Sequence, residues 1–270
     1  MSADGSISGS DLHYASLYAT PPLREQFNLV NALQTELCSI PMSVSDTGVA
    51  RVKLGWWHSE AQRLVQGNPS HALTRNYANS SAKMPDISAA MCALIAGLDE
   101  ELGGRILTTN EDRRDWFNAT FSPINEVRLA IGGECDGPLT AQLLELGRWV
   151  EVGYSLLFLK PHAMRQIRRL AIDELEAKNC SWNDIESGRE SAVVVALLGA
   201  ETQVASDELS RLLNAIPLVA RRTHLPLITL GRIVQDSLIE MRKDGCRIWL
   251  HRIELTPLRK LWLAWRTRYW

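Results

Sequence analysis

The sequence has no long hydrophobic run and no excess of charge of one sign. Its 270 residues include 29 Lys and Arg against 31 Asp and Glu, a formal net charge of −2. Such a chain produces no overall field that attracts nucleic acid, so we expect no nucleic-acid partner. No stretch approaches the roughly 20 apolar residues of a membrane-spanning helix. The start, MSADGSISGSDLHY, lacks the basic and apolar runs of a secretory signal. We expect a cytoplasmic protein, with any membrane contact peripheral and at the inner face.

Several common active-site motifs are also missing. The five cysteines are widely separated, without a C-x-x-C pair or a His at zinc spacing, which favours a reducing compartment and no zinc site. No serine lies in a G-x-S-x-G turn. The glycine-rich segment IGGECDG at 131–137 lacks the Lys-Ser/Thr of a phosphate-binding loop and is predicted to connect two helices.

Helical periodicity dominates the rest of the chain. Apolar residues within 21–41 recur at threes and fours, and the prolines predict a helix that stops at Pro41. Asp46 is predicted to cap a second helix that ends at Gly67. These features predict an all-α helical bundle, which we treat as one domain over 1–270 with a flexible segment 1–10. Further helices are predicted over 86–101, 110–119, 123–131, 139–158, 163–177, 190–198, 205–215, 226–243 and 256–269.

One charged residue interrupts the apolar stripe of the first helix. Glu36 is predicted to lie on the same side as Leu33 and Ile40, where a lone carboxylate is rare unless a partner neutralises it. Two interpretations follow. Glu36 either pairs with an arginine such as Arg24 or Arg51 inside the bundle, or is the remnant of a metal-binding pair.

Four segments resemble the squalene and phytoene synthase family and follow the order of its landmarks along most of the chain. They are DLHYASLYATPPLREQFNLVNALQTEL, RVKLGWWHSEAQRL, GNPSHALTR and LGRWVEVGYSLLFLKPHAMRQIRRLAIDELEAKNCSW. The resemblance implies the isoprenoid synthase fold, with a central cavity that accommodates prenyl chains. It also implies two aspartate-rich helices that face each other and hold magnesium ions, which bind the diphosphate of the substrate.

The acidic motifs of that family are incomplete here. Carboxylates at i and i+4 of each helix would point at one cluster of ions, because these positions share a helix face. On the first helix Glu36 matches the leading acid, but Ile40 stands at the second position. On the second helix the matching residues are Phe158 and His162, and no Asp or Glu occurs between 151 and 173. The motifs are therefore degenerate, the segment LKPH makes the mouth of the cavity more positive, and no metal or other cofactor is expected.

Further features resemble a divergent branch of the family, the phytoene-synthase-like assembly factors of mitochondrial complex I. The similarity lies in the NALQTEL helix, the tryptophan helix and the closing segment LRKLWLAWRTRYW. Bacterial relatives share WW-x-x-E at 56–60 and G-x-P-x-H at 67–71. This resemblance implies a non-catalytic protein that binds an isoprenoid or lipid, or helps to assemble a protein partner. The alternative is an active head-to-head prenyltransferase that condenses prenyl diphosphates with magnesium.

Aromatic and basic residues near the matched segments are candidates for lining the cavity or binding phosphate. The arginines within 165–169 are predicted to share a helix face, which either binds an anionic group or is solvated. Trp56 and Trp57 either line the cavity or fill the core. Lys53 and Glu60 are predicted to form a surface pair. The full set of candidates is Tyr14, Arg24, Lys53, Trp56, Tyr154, Phe158, His162, Arg165 and Arg168.

The segment 256–269 is predicted to form a basic amphipathic helix. Such a helix either lies at a membrane interface, with its tryptophans at headgroup depth, or is the last helix of the bundle. Peripheral membrane contact through Leu258–Trp270 is therefore a third functional hypothesis. The apolar face comprises Leu258, Leu261, Trp262, Trp265 and Tyr269.

Overall fold

The computed structural model describes residues 9–133 and 136–269, and within them helices are joined by turns and loops, with no strand. The all-α prediction is confirmed. Segment 1–10 lies almost wholly outside the described residues, but Ser10 caps the first helix by accepting a hydrogen bond from the His13 amide. Fourteen helices are described: α1 Asp11–Ser16, α2 Pro21–Ser43, α3 Thr47–Val65, α4 Ala72–Ala78, α5 Ser88–Leu102, α6 Asn110–Gly132, α7 Gly137–Leu157, α8 Leu159–Ala163, α9 Ile172–Glu176, α10 Trp182–Glu186, α11 Ala192–Ala215, α12 Leu218–Thr223, α13 Leu225–Lys243 and α14 Pro257–Tyr269.

Prolines do not end helices where the sequence predicts that they do. Helix α2 passes Pro41 and ends at Ser43, and α6 is one helix although two were predicted on either side of Pro123. Each proline removes one backbone hydrogen bond. The helices continue because packed apolar residues lie on both sides, such as Phe121 and Ile124 around Pro123. The predictions that α2 stops at Pro41 and that α6 and α11 are each two helices were wrong.

The start of α3 is as predicted, but the helix predicted over 163–177 is wrong. The Asp46 side chain accepts a hydrogen bond from the Val49 amide at 2.9 Å and begins α3. After α8 the chain leaves the helix through Gln166, whose φ of 57° is in the left-handed region. The amide of Ile167 then donates back to the His162 carbonyl at 3.0 Å, which closes a turn. The next helix, α9, begins at Ile172.

The helices pack around two apolar clusters. One is formed mainly by α2, α3, α5 and α6, and the other mainly by α7, α11 and α13. Trp149 of α7 packs against both clusters. Helix α7 therefore lies where the two clusters adjoin.

The last helix packs on α13 and α1 with the face that the sequence predicts to be polar. Its buried residues are Lys260, Leu263, Ala264 and Thr267. The Lys260 ammonium lies 2.7 Å from Asp11 Oδ1 of α1, which neutralises the buried charge. Because this opposite face is buried, the aromatic face of α14 is directed outward.

Candidate functional site

Helices α2 and α7 are joined by a buried polar network centred on Arg128 of α6. Gln34 of α2 donates from Nε2 to Glu151 Oε1 of α7 at 2.8 Å. Arg128 Nη1 donates to Asn125 Oδ1 at 2.6 Å and to Glu151 Oε1 at 3.3 Å. Arg128 Nη2 donates to Asn31 Oδ1 at 2.5 Å and to Gln34 Oε1. All five side chains are buried, so both terminal nitrogens of the guanidinium are used within the protein.

The close approach of α6 and α7 at this network depends on a glycine. A Cβ added at Gly147 would lie 2.5 Å from Asn125 Cγ and 2.6 Å from Asn125 Nδ2. These distances are shorter than van der Waals contact, so a larger residue would displace Asn125. Gly147 thus lets the amide of Asn125 reach Arg128.

The donor set between α2 and α7 does not fit the magnesium cluster that the family resemblance implies. Glu151 is the one carboxylate of the network, and Arg128 and Gln34 already bind it. The neighbouring Cys38 stays a neutral thiol, since burial raises its pKa to about 12. Magnesium binds carboxylate oxygens in near-octahedral order, and amides with one occupied carboxylate are a poor substitute. Among residues 9–133 and 136–269, no three His, Cys, Asp or Glu side chains are grouped closely enough to hold a metal.

The predicted environment of Glu36 is wrong. Glu36 lies on the exposed side of α2, between buried Leu33 and Leu37, because one residue turns a helix by about 100°. Neither predicted partner binds it. Arg24 donates from Nε to the Ser16 carbonyl at 3.1 Å, and Arg51 pairs through Nε with Asp99 Oδ1 at 3.1 Å. The buried polar residues of α2 are instead Asn28, Asn31 and Gln34, and amides in an apolar stripe were the signal that could have identified them.

A cavity of about 560 Å³ lies at the C-terminal ends of α2 and α7. Three of the sequence candidates, Tyr154, Phe158 and His162, lie on its wall. The other wall residues come from α1, α2, the end of α7, α8, α13, the segment 248–255 and the first turn of α14. A volume of this size, with mostly apolar walls and a few polar groups, is typical of small-molecule sites, which enclose about 300–1,000 Å³.

Several polar groups of the cavity wall are bound by neighbouring protein groups. Lys160 Nζ donates to the Trp249 carbonyl at 3.0 Å, and Lys260 pairs with Asp11. The phenol of Tyr154 donates to Asp11 Oδ2 at 3.2 Å. Burial, with a contribution from the charge of Arg169, holds the pKa of His162 well below its usual 6.5. His162 is therefore neutral near pH 7, and the prediction that it adds positive charge was wrong.

The remaining candidates do not lie on this wall. Tyr14 packs against a small cluster formed by Ile233, Leu255 and Leu263. Lys53 and Trp56 are exposed on α3. Trp56 makes an edge contact with Trp57, which is buried in the core.

The arginines of 165–169 do not share a helix face as predicted, because this segment forms the turn after α8. Arg165 donates to the Val44 carbonyl at 3.4 Å. Arg168 binds Glu186 with two hydrogen bonds, at 2.7 and 3.0 Å. Arg169 binds the buried Glu101 in the same way, at 2.5 and 2.9 Å. Two of the three guanidinium groups are thus paired with carboxylates that hold the turn in place.

The WW-x-x-E and G-x-P-x-H features contact each other through Glu60, and we call Glu60 and the groups that bind it the Glu60 clamp. Glu60 is completely buried and accepts hydrogen bonds from the amides of Ser70 and His71 at 2.7 and 2.8 Å. Burial alone would raise the pKa of Glu60, but hydrogen bonds from His71, Thr74, Ser70 and Arg63 lower it to about 2. The clamp fixes the start of α4 against α3. The prediction that Glu60 forms a surface pair with Lys53 was wrong.

An all-helical bundle with an apolar cavity between its helices is the architecture of an isoprenoid synthase. Two solved structures have this fold. Squalene synthase HpnC from Alicyclobacillus acidocaldarius is 20% identical, with 87% of this chain and 88% of that chain covered and a TM-score of 0.64. A dehydrosqualene synthase in complex with ligand is 12% identical, with 96% and 95% covered and a TM-score of 0.74. At these identities the likeness shows the fold.

The sequence itself identifies the family. The model for squalene/phytoene synthase matches residues 8–261. The chain therefore belongs to the squalene/phytoene synthase family, as the resemblance predicts. No curated protein sequence matches it. No helix in the described part of the chain is both long and apolar enough to cross a bilayer.

Proposed function

We propose that this protein is a non-catalytic member of its family that binds an isoprenoid or related lipid in the cavity. The observation that carries the proposal is the network at Arg128. Of the four positions at which the family resemblance calls for acidic side chains, only Glu36 is acidic and it is exposed, while the interior between α2 and α7 holds amides, one carboxylate and a guanidinium. Function depends on such site chemistry and not on the fold alone.

The network also leaves little capacity to bind diphosphate directly. A guanidinium can bind phosphate through two parallel hydrogen bonds. In Arg128 both terminal nitrogens already donate to buried acceptors, and Glu151 supplies the balancing negative charge. A diphosphate would have to displace these acceptors and enter a buried site without a metal to offset its charge.

The cavity supports the binding half of the proposal. Its wall includes Leu157, Met241 and Ile248, and its lysines are held by protein groups. A neutral isoprenoid or a lipid chain is the chemical class that such a wall accommodates. The dehydrosqualene synthase that shares the fold was solved with a ligand, which is in keeping with a ligand site in this architecture.

Equilibrium dialysis of the full chain with geranylgeraniol and squalene tests the binding. We expect saturable binding at one site per chain for at least one of them. Phe158→Glu places a carboxylate on the cavity wall at a half-exposed position and should weaken binding at least about tenfold. Val204→Glu is the matched control, because Val204 is also exposed but lies on α11 away from the cavity wall. Absence of saturable binding, or equal loss in both variants, would contradict the proposal.

Family membership favours a second candidate, a head-to-head prenyltransferase with a rearranged site. This activity would require a path by which magnesium and diphosphate reach α2 and α7 although Arg128 occupies the space between them. It predicts magnesium-dependent release of diphosphate from farnesyl or geranylgeranyl diphosphate, which the non-catalytic proposal does not.

The assembly-helper version of the proposal rests on the resemblance to complex I assembly factors. It adds a protein partner to the lipid site. Crosslinking in the native cell followed by affinity purification tests it, with Phe158→Glu as the comparison. If one protein is recovered reproducibly with the native chain and in smaller amount with the variant, the partner depends on the ligand site. If no protein is enriched, the helper role is contradicted and the ligand-binding role stands.

A further inference from the structure

Helix α14 presents an aromatic ridge to the outside of the bundle. The ridge is formed by Leu258, Trp262, Trp265 and Tyr269, which follow one another at steps of four, three and four and therefore share one helix face. Their exposed fractions run from 45% for Trp265 to 78% for Leu258. Single exposed apolar residues are common, but a continuous row that includes two tryptophans marks an interaction surface.

The short helix α12 extends this ridge. It lies beside the last helix and carries two of the most exposed apolar residues of the described chain, Leu218 at 71% and Val219 at 87%. We call the outer faces of these two helices the α12–α14 surface. It comprises Leu218, Val219, Arg222, Leu258, Trp262, Trp265, Arg266, Arg268 and Tyr269.

The charges on the α12–α14 surface are all positive. Neither α12 nor α14 contains an Asp or Glu. The acids that do reach α14 lie on its inner side, where Asp236 and Glu240 bind Arg259 and Asp11 binds Lys260. In the described part of the chain, Arg222, Arg266 and Arg268 form no ion pair, and the last two lie over aromatic rings.

Three helices also bring like charges together at the edge of this surface. Burial, followed by the positive charges of Arg221 and Arg266, lowers the pKa of Arg232 from its usual value, against an opposing effect of Asp236. Arg221 belongs to α12, Arg232 to α13 and Arg266 to α14, so the tertiary fold brings positive charge from three helices to this edge.

We propose that the α12–α14 surface docks on a lipid bilayer that carries anionic headgroups. A helix in this position lies parallel to the membrane, with its tryptophans and tyrosine at headgroup depth and its arginines against lipid phosphates. Helix α14 is about 20 Å long, from 13 residues at 1.5 Å each. This length suits a helix that lies in the membrane interface and is too short to span a bilayer. None of the residues of the α12–α14 surface lines the cavity, so this inference stands independently of whether the cavity holds a lipid.

Flotation of the full chain with vesicles tests the docking. Phosphatidylcholine mixed with phosphatidylglycerol is compared with phosphatidylcholine alone, at low and high salt. We expect binding to the anionic vesicles that high salt weakens. Replacing Trp262 and Trp265 together by serine should reduce it at least about tenfold. Replacing Arg266 or Arg268 by serine should reduce binding about fivefold each.

A matched control distinguishes this surface from exposed apolar residues in general. Val52→Ser/Val65→Ser changes two apolar residues of α3 that are even more exposed than the tryptophans, and should leave flotation unchanged. Equal binding of the native chain and the tryptophan variant would overturn the proposal, as would equal binding to neutral and anionic vesicles. If the native chain does not float but forms a dimer that the tryptophan variant cannot form, a second copy covers the surface. That result would also overturn the proposal. Geranylgeraniol binding in solution should be the same in all these variants, so failure of docking and failure of the ligand site can be told apart.

Discussion

The Nη1 nitrogen of Arg128 lies 3.3 Å from Glu151 Oε1, and 3% and 10% of the two side chains are exposed. This pair neutralises the interior between α2 and α7 by protein groups alone. A buried guanidinium needs both a counter-charge and hydrogen-bond acceptors, and Asn31, Gln34 and Asn125 supply the acceptors. The arrangement therefore stabilises the contact between α2 and α7 without a metal ion.

The Arg128–Glu151 pair should be strongly coupled. Glu151→Leu leaves the guanidinium buried without a counter-charge, so we expect the free energy of unfolding to fall by about 3 kcal/mol in urea titrations. The double variant Arg128→Met/Glu151→Leu should lose less than the sum of the two single variants, with a coupling of about 1–3 kcal/mol. Strictly additive losses would show that the two residues act independently.

Gly147 should be intolerant of a methyl group. Gly147→Ala forces Asn125 away from Arg128, and overpacking of this kind costs about 1–3 kcal/mol. Gly199→Ala is the matched control, because Gly199 is inside α11 and no atom would lie within 4 Å of its added Cβ. The control should gain up to about 1 kcal/mol from helix propensity. Equal effects of the two changes in thermal or urea unfolding would contradict the close packing at Asn125.

The contribution of Glu60 to stability should depend on pH in the acid range. The folded-state pKa of about 2 lies below the usual 4.5, so the ionised carboxylate stabilises the fold above about pH 4.5. That contribution is lost as the pH falls from about 4.5 toward 2. The stability difference between the native chain and Glu60→Gln should therefore shrink over this range. A difference that stays constant down to pH 2 would show that the clamp does not depend on the charge.

The contact between Asp11 and Lys260 should control how firmly α14 is attached. Asp11→Asn leaves the ammonium of Lys260 buried without its counter-ion, which weakens the contact between α1 and α14. We expect faster hydrogen exchange in 257–269 and little change in α5 or α6. Arg105→Gln removes an exposed pair with Glu100 and serves as the control. Uniformly faster exchange over the whole chain would indicate global destabilisation instead.

The helices were readable from the sequence because apolar residues recur along most of them. Their ends were less readable. Pro41 was predicted to stop a helix and Pro123 to begin a new one, yet neighbouring apolar residues keep both helices intact. The turn after α8 could not be predicted, because its left-handed residue is Gln166 and not a glycine. The carboxylates that hold it come from distant segments, as Glu101 does for Arg169.

The site was harder to predict than the fold. Glu36 stood out in the sequence because it is charged, whereas the buried face of the same helix carries uncharged amides, among them Asn31 and Gln34. Their role depends on Arg128, almost a hundred residues further along the chain. The amphipathic character of α14 was visible in the sequence, but the buried Lys260 decides which face packs inward. Family membership followed from the order of motifs and is confirmed by the match over 8–261.

Incubation of the full chain with farnesyl and geranylgeranyl diphosphates and magnesium tests directly whether the protein is catalytic. Diphosphate release and prenyl product formation are measured. We expect no release above the level without protein, since α2 and α7 are joined through Arg128 and offer one occupied carboxylate. Sustained, magnesium-dependent formation of a head-to-head hydrocarbon that Glu151→Gln abolishes would contradict it.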